Sequence, residues 1–540
     1  MTSRERVLVL PAQRTKSRAR RQKSKSVVKM NAYRNKRKAI PSSLLSMLAL
    51  LAVAGLAEER SPRLPSLDEL QGRNTPQVDM QLFNLAPQPE WARELFTTAR
   101  QGFEEHPRAR FADLPAIREA AERHGLVLLG GPMLGALSYD GARVWVRTVK
   151  PAQVVVVVPL PEGERRFGPV ASTVASDFTA VVPVTGLNPE TRYPYRVLVD
   201  GQPVPMPEGA VIATAPAPKA KGRVTIAFGA DFHKTGLWDR RLLDQIRTRG
   251  NSALLLLGDL ATLERENRVG LSRADHLLRD LSPAWREVAA AVPVYAAWDD
   301  HDYYSNDDAG IPHGATEADR ANVRTVWKQS WNNPATGFEE RGQGIFFHTR
   351  IGPCDVIMLD TRFFRTVPKQ ADSFLGKEQM RWLADELAAC TAPFIILTSG
   401  TMWTDYVSNG KDSWGKWDPP ARERVFSLIE ERPIGGVLLL SGDRHGARVM
   451  RIPRPSGFTF WEFELGSLGG HEGPPAMGNQ PALQPFGLIN QPAFGEFTFD
   501  TTAADPTVTM RVVDQDGKIR YQLSLTRSQL TPNPRKREKP

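Results

Sequence analysis

Cysteine is nearly absent from this chain of 540 residues: Cys354 and Cys390 are the only two. A framework of several disulfides is therefore excluded. Cys354 lies beside a strand-like run and Cys390 follows a helix-like one, so two small buried free thiols are favoured over the single pair that an exported protein could form. Long apolar runs are missing as well. The candidate stretch from Leu44 to Ala57 falls short of the ~20 residues that a membrane-spanning helix needs, so no stable span is expected. Most of the chain also lacks an excess of either charge. The formal net charge is +10, yet residues 1–41 hold fourteen Lys or Arg against one acidic residue, a balance of +13. Set against +10, the rest of the chain stands at −3, so the folded part has no basic excess and no nucleic-acid partner is favoured. Aromatics at 8% and charged residues at 24% are ordinary for a soluble protein and exclude wholesale disorder.

What is present begins with an address over residues 1–57. The tract RTKSRARRQKSKS reads as a solvated basic arm. NKRKAIPSSLLSMLALLAVAGLAEER follows, with a basic flank, a short apolar stretch and small residues Gly55 and Ala57 before Glu58. That order matches a secretory signal and predicts a periplasmic or secreted protein. Residues 58–126 read as a Pro-rich polar link up to about 82, then two amphipathic helices in PEWARELFTTARQGFEE and DLPAIREAAERHG, the second stopped by Gly125. From Leu137 the period changes to two. ARVWVRT, AQVVVVVPL, VASTVASDFTAVVPV and TRYPYRVLVDG are short strands of an all-β sandwich assigned to residues 127–213, with Trp145 and Tyr195 as core. Within it LNPETRYPYRV resembles the segment of a fibronectin type III domain where a Leu and a Tyr fix a late strand. The run TAPAPKAKG at 214–222 is a linker, residues 223–525 an α/β catalytic domain, and 526–540 a tail.

Four pieces of the catalytic domain share one pattern: VTIAFGADFH, SALLLLGDL, VPVYAAWDDHD and GVLLLSGDRHG. Each is an apolar run that ends in carboxylates or imidazoles, as when an α/β enzyme presents ligands beyond the carboxyl ends of its strands. The clusters are Asp231-Phe232-His233, Gly258-Asp259, Asp299-Asp300-His301-Asp302 and Gly442-Asp443-Arg444-His445. Packed together without cations, so many carboxylates would be costly and would take up protons. The donors suit Mn²⁺, Fe, Zn²⁺ or Ca²⁺. Two such ions ~3.5–4 Å apart, sharing a carboxylate, can grip a phosphate and activate a water.

These blocks resemble the calcineurin-like metallophosphatase superfamily and, within it, the alkaline phosphatase D group. The superfamily's Asp-x-His falls on Asp231 and His233, and its Gly-Asp on Gly258 and Asp259. Its Gly-Asn-His block takes the group's form at Trp298-Asp299-Asp300-His301-Asp302, and its closing Gly-His-x-His becomes Gly442-Asp443-Arg444-His445. LDTRFFR at 359–365 and GKEQMRWL at 376–383 fit too, and the likeness runs over about residues 127–525. It implies two mixed sheets flanked by helices. It also implies one metal held by Asp231, His233, Asp259 and His445, and a second held by Asp259 as bridge with Asp300 and Asp443. The superfamily's further His after the strand FIILTSGTMW is missing, with Ser399, Gly400 or Thr401 in its place. A hard, oxygen-liking ion such as Ca²⁺ or Mn²⁺ is then expected in the second position. A second departure is ATLERENR after the Gly-Asp, where the group more often carries aromatics.

The implied reaction is hydrolysis of a phosphate ester. His301 is expected either to protonate the leaving group or to bind phosphate, and Arg362 and Arg365 to act as forks on phosphate oxygens. His348, His276 and His471 have no partners visible in the sequence, although His471 in GSLGGHEG could line the cleft. Two alternatives remain open at this level. One is a phosphodiesterase acting on nucleotides, phospholipid headgroups or wall polymers, and the other is a binding module with a decayed metal site.

Overall fold

A computed structural model describes residues 76–84, 88–261, 264–407 and 410–533. The basic arm and export signal expected over 1–57, the link up to residue 75 and the last seven residues of the tail lie outside the described residues. The end of the expected link is not a link. Pro76–Leu82 is a helix whose Asp79 is buried against Arg100 (3.1 Å) and Lys234 (2.9 Å), with Leu82 and Phe83 in the core. Two apolar side chains are too few to reveal a period, and the charged partners lie 21 and 155 positions away in sequence. Helices Glu90–Glu105 and Pro115–Arg123 fall where the apolar spacing puts them, and Gly125 follows with φ 66°, a left-handed stop that glycine adopts freely.

The β-rich region that follows contains three antiparallel sheets. β1 (Leu128–Ser138), β2 (Gly141–Thr148) and β5 (Thr179–Val184) form one. β4 (Gly163–Ser172), β3 (Ala152–Leu160), β7 (Arg196–Val199) and β8 (Gln202–Pro203) form another, and β6 (Arg192–Pro194) pairs with β9 (Val211–Ala213). β1 begins well before Leu137, where the sequence period changes, because three glycines in LLGGPMLGALS blur its alternation. Trp145 and Tyr195 are buried, as read, but at a seam. Trp145 Nε1 donates to the Gln329 carbonyl (3.1 Å) and Tyr195 Oη to that of Ala290 (3.1 Å), both in the region that follows residue 222.

That region carries two mixed sheets. In the first, β10 (Arg223–Gly229), β11 (Ala253–Leu256) and β12 (Val294–Ala296) run parallel. The sheet continues antiparallel from β10 through β20 (Ala493–Asp500) and β21 (Thr507–Asp514) to β22 (Ile519–Thr526). The second runs β13 (Phe347–Ile351), β14 (Cys354–Met358), β15 (Phe394–Thr398), β16 (Val437–Ser441), β18 (Thr459–Leu465), β17 (Gly446–Pro453), β19 (Phe486–Ile489). β11, β14, β15 and β16 are buried along their whole length, as central parallel strands covered on both faces must be. Phe497 of the first sheet stacks on Phe228 (4.6 Å) and meets Phe463 of the second edge-on (5.3 Å), so the sheets face each other across an aromatic layer.

Candidate metal centre

The turns after β10, β11 and β16 bring Asp231, His233, Asp259 and His445 together, one ligand atom of each lying within 4.8 Å of the others. Two overlapping sets adjoin: Asp259 with Asp300 and His301, and Asp300 with Asp299 and Asp443. The backbone that aims these side chains is left-handed, with φ of 59° at Asp231, 43° at His233, 53° at Asp259, 76° at Asp443 and 43° at His445. Such conformations cost about 1–3 kcal/mol each and persist where the surroundings hold them. Here the Asp231 amide donates to the Gly258 carbonyl (3.0 Å) and the His233 amide to that of Asp259 (2.9 Å). Gly258 is required for the close approach: a Cβ there would lie 2.4 Å from that of Asp299. His445 Nδ1 donates to the Glu472 carbonyl (2.8 Å), which leaves Nε2 facing Asp231 Oδ1 at 3.5 Å.

The donor set calls for positive charge. Asp231 Oδ1, His233 Nδ1, Asp259 Oδ1, Asp299 Oδ2, Asp300 Oδ1 and His471 Nε2 are buried without a hydrogen-bond partner. Burial, reinforced by neighbouring carboxylates, pushes Asp231, Asp259 and Asp443 well above the usual carboxylate range. Asp299 is pushed up to about 6 by burial, even with Arg362 opposing. Burial and the adjoining imidazoles drive His233 well down and His471 down to about 3. A bound cation would reverse the carboxyl shifts by favouring carboxylate, and it suits imidazoles that burial already holds neutral. The residues therefore fit a metal.

A pH dependence of the ion-free protein follows. Carboxyls raised in the fold contribute stability at low pH that is lost as pH rises through their folded values. Histidines depressed in the fold contribute stability that is lost as pH falls below the ordinary ~6.5. Above ~6.5 the histidines are neutral in both states and only the carboxyls act, so the chelated protein is expected to lose stability as pH rises from neutral to alkaline. Metal should abolish that alkaline loss. A chelated Tm that rises from neutral to alkaline pH would contradict it.

All six expected ligands and His301 meet in these sets. His301 is one-fifth exposed, with Nε2 3.9 Å from Asp259 Oδ2 and Nδ1 3.2 Å from Glu264 Oε1. Arg362 and Arg365 depart from the phosphate-fork reading. Both are buried, and their guanidinium groups face carboxylates of the chain. Arg362 donates from Nε to Asp299 Oδ1 (2.5 Å), while its terminal nitrogens lie 3.5 Å from Asp300 and 2.9 Å from Asp412. Arg365 lies 3.0 Å from Asp412, sandwiched near Phe374 and Trp417. Against the effect of burial, Arg362 and then His301 hold Asp300 below the usual range.

Three further residues lie at the site without a role assigned from sequence. Arg444 lies inside a ligand motif, yet its side chain is 16% exposed beside Asp443 (3.5 Å). His471 packs 4.3 Å from the His233 ring, and its place in a Gly-rich loop was the one signal for it. Asp299 closes on the turn after β15: a Cβ on Gly400 would lie 2.6 Å from Asp299 Oδ1.

Residues 269–530 match the family profile of the PhoD-like phosphatases. Over these residues the chain is similar to that family. An alkaline phosphatase D of Bacillus subtilis (strain 168) is 25% identical over 232 residues, which span 37% of this chain and 37% of that relative. The solved structure of PhoD shares the fold with a TM-score of 0.60 at 19% identity, over 75% of this chain and 91% of that one. A purple acid phosphatase from yellow lupin (Lupinus luteus) seeds does so with a TM-score of 0.51 at 13% identity, over 73% and 74%. Residues 126–216 match a domain of unknown function (DUF7800). The PhoD-like match supplies Asp300, His301, Asp443 and His445, whereas Asp231, His233 and Asp259 come from β10 and β11 upstream of it.

Proposed function

We propose that this chain is a metal-dependent phosphoric ester hydrolase with a dinuclear centre. The observation that carries the reading is the group of partnerless buried carboxylate and imidazole atoms at the strand ends. Asp231, His233, Asp259 and His445 would hold one ion, and Asp259, Asp300 and Asp443 the other, with Asp299 beside them. Ca, Fe, Mn or Zn suit these donors, and the oxygen-only second set favours Ca²⁺ or Mn²⁺ there. Bound ions of this kind polarise a phosphoryl oxygen and lower the pKa of a water. His301 would deliver a proton from Nε2 to the leaving-group oxygen, or hold a non-bridging oxygen, with Glu264 behind Nδ1. Arg444 is the guanidinium left to meet phosphate oxygens, while Arg362 orients Asp299 and Asp300. The substrate is a phosphate mono- or diester.

The remaining parts of the reading are architectural. The sheets over 127–213 form an all-β sandwich ahead of a catalytic domain over 223–525, and residues 1–57 export the protein to the periplasm or medium. Among the described residues no helix is long and apolar enough to cross a membrane. Purified protein should carry about two metal ions per chain and hydrolyse a panel of phosphate esters. In Asp259→Asn both metal content and turnover should fall. Full turnover by metal-free protein would end the reading.

A further inference from the structure

A second group of metal-ligating side chains lies at the other end of the second sheet. Asp355 stands near the start of β14, whose far end leads into Thr361 and Arg362 at the centre described above. In the β13–β14 register His348 faces Ile357 and Arg350 faces Asp355, so His348 and Asp355 project from one side of the hairpin. The helix Gly376–Ala389 covers that side, since its Leu383 and Leu387 share a core with Ile357 and Ile395. Glu386 and the helix-ending Cys390 are thereby carried over the hairpin. A ligand atom each of His348, Asp355 and Cys390 then lies within 4.8 Å of the other two.

The orientation is as telling as the proximity. His348 Nδ1 is 2.7 Å from Glu386 Oε2, and Nε2 faces Asp355 Oδ1 at 3.4 Å. Asp355 Oδ2 accepts the amides of Thr391 (2.9 Å) and Ala392 (2.8 Å), which fixes the carboxylate, while Oδ1 also meets Arg350 Nη1 at 3.0 Å. A carboxylate behind one ring nitrogen, with the other nitrogen facing a second carboxylate and a thiol in the same cluster, is how a ligating histidine is held. Thiolate, imidazole and carboxylate together suit Zn²⁺, a borderline-soft ion without geometric preference.

We propose that His348 Nε2, Asp355 Oδ1 and Cys390 Sγ form a structural Zn²⁺ site, separate from the phosphatase centre, that pins the end of helix Gly376–Ala389 to the β13–β14 hairpin. Glu386 is its positioning residue. Water completes the coordination. Without an ion, Asp355, Cys390 and Glu386 outweigh burial and hold His348 up to about 10, and burial pushes the Cys390 thiol up. Binding therefore displaces one proton from His348 and one from Cys390, with Arg350 the opposing cation, and it strengthens as pH rises.

The test uses the full-length protein loaded with Co²⁺ in place of Zn²⁺. Among the described residues no thiol belongs to the phosphatase centre, so a thiolate-to-cobalt charge-transfer band in the near ultraviolet reports this site alone. The band is expected in wild type and absent from Cys390→Ser, with ester turnover unchanged. Glu386→Gln should weaken binding by ~10–100-fold and keep the band at saturation. Zn²⁺ should also slow alkylation of Cys390 by iodoacetamide in wild type, read by peptide mass, which requires no variant to fold. A wild-type protein without the band, and with Cys390 alkylated equally fast with and without Zn²⁺, would leave only an ion-paired histidine and overturn the proposal.

Discussion

His301→Ala lowers kcat by ~10²–10⁴-fold while the metal content stays at its wild-type level. The expectation rests on where the imidazole stands. It belongs to the set with Asp259 and Asp300, yet it remains one-fifth exposed, whereas both carboxylates are buried. Its exposed edge is free to touch substrate. If it supplies the leaving-group proton, the loss should shrink for esters of weakly basic alcohols such as nitrophenol. A loss of equal size on every ester would assign it to stabilising phosphoryl charge instead. Both kcat and KM need measuring, because a contact made equally in ground and transition states would change KM alone. Loss of metal in the variant would make His301 a ligand. Unchanged turnover on all esters, with metal in place, would remove it from the mechanism.

Arg362→Met destabilises the fold by about 3–5 kcal/mol, the usual cost of taking one partner from a buried charge cluster. Arg362 is fully buried and faces Asp299, Asp300 and Asp412. Against burial, those carboxylates hold its guanidinium well above its ordinary pKa. Arg365 still meets Asp412, so Asp299 and Asp300 are the groups stranded. Arg362→Lys should recover little, since a point charge cannot meet three carboxylates in one plane. Denaturant unfolding of the chelated protein gives the number directly. Added metal should restore part of it by neutralising the same carboxylates. A loss below about 1 kcal/mol, the scale of an exposed pair, would mean that the cluster is solvated.

The apolar runs ending in Asp231, Asp259 and Asp443 were legible because central parallel strands are short, continuous and apolar, and a sharp turn must follow each. The two mixed sheets came with the resemblance that those motifs support. Arg362 and Arg365 were misread for a different reason. An arginine just past a strand looks the same in sequence whether it meets solvent, substrate or a buried carboxylate. Here the deciding partners are Asp299, 63 positions before Arg362, and Asp412, 47 positions after Arg365. His348 is a similar case, since Glu386 lies 38 positions on and arrives only when its helix packs against the hairpin.

By itself the sequence determined which side chains leave the strand ends, because alternation, apolar length and turn chemistry are properties of neighbours along the chain. It therefore determined the ligand types and their order. The tertiary structure alone decided how charge is shared among them. It set Asp299 against Gly400, turned Arg362 and Arg365 inward and left Arg444 at the rim. It also anchored the helix Pro76–Leu82 through buried Asp79 and Lys234. The physical reason is that burial and electrostatic partnership depend on distance in space, and residues far apart in sequence acquire that distance only when the sheets and helices pack.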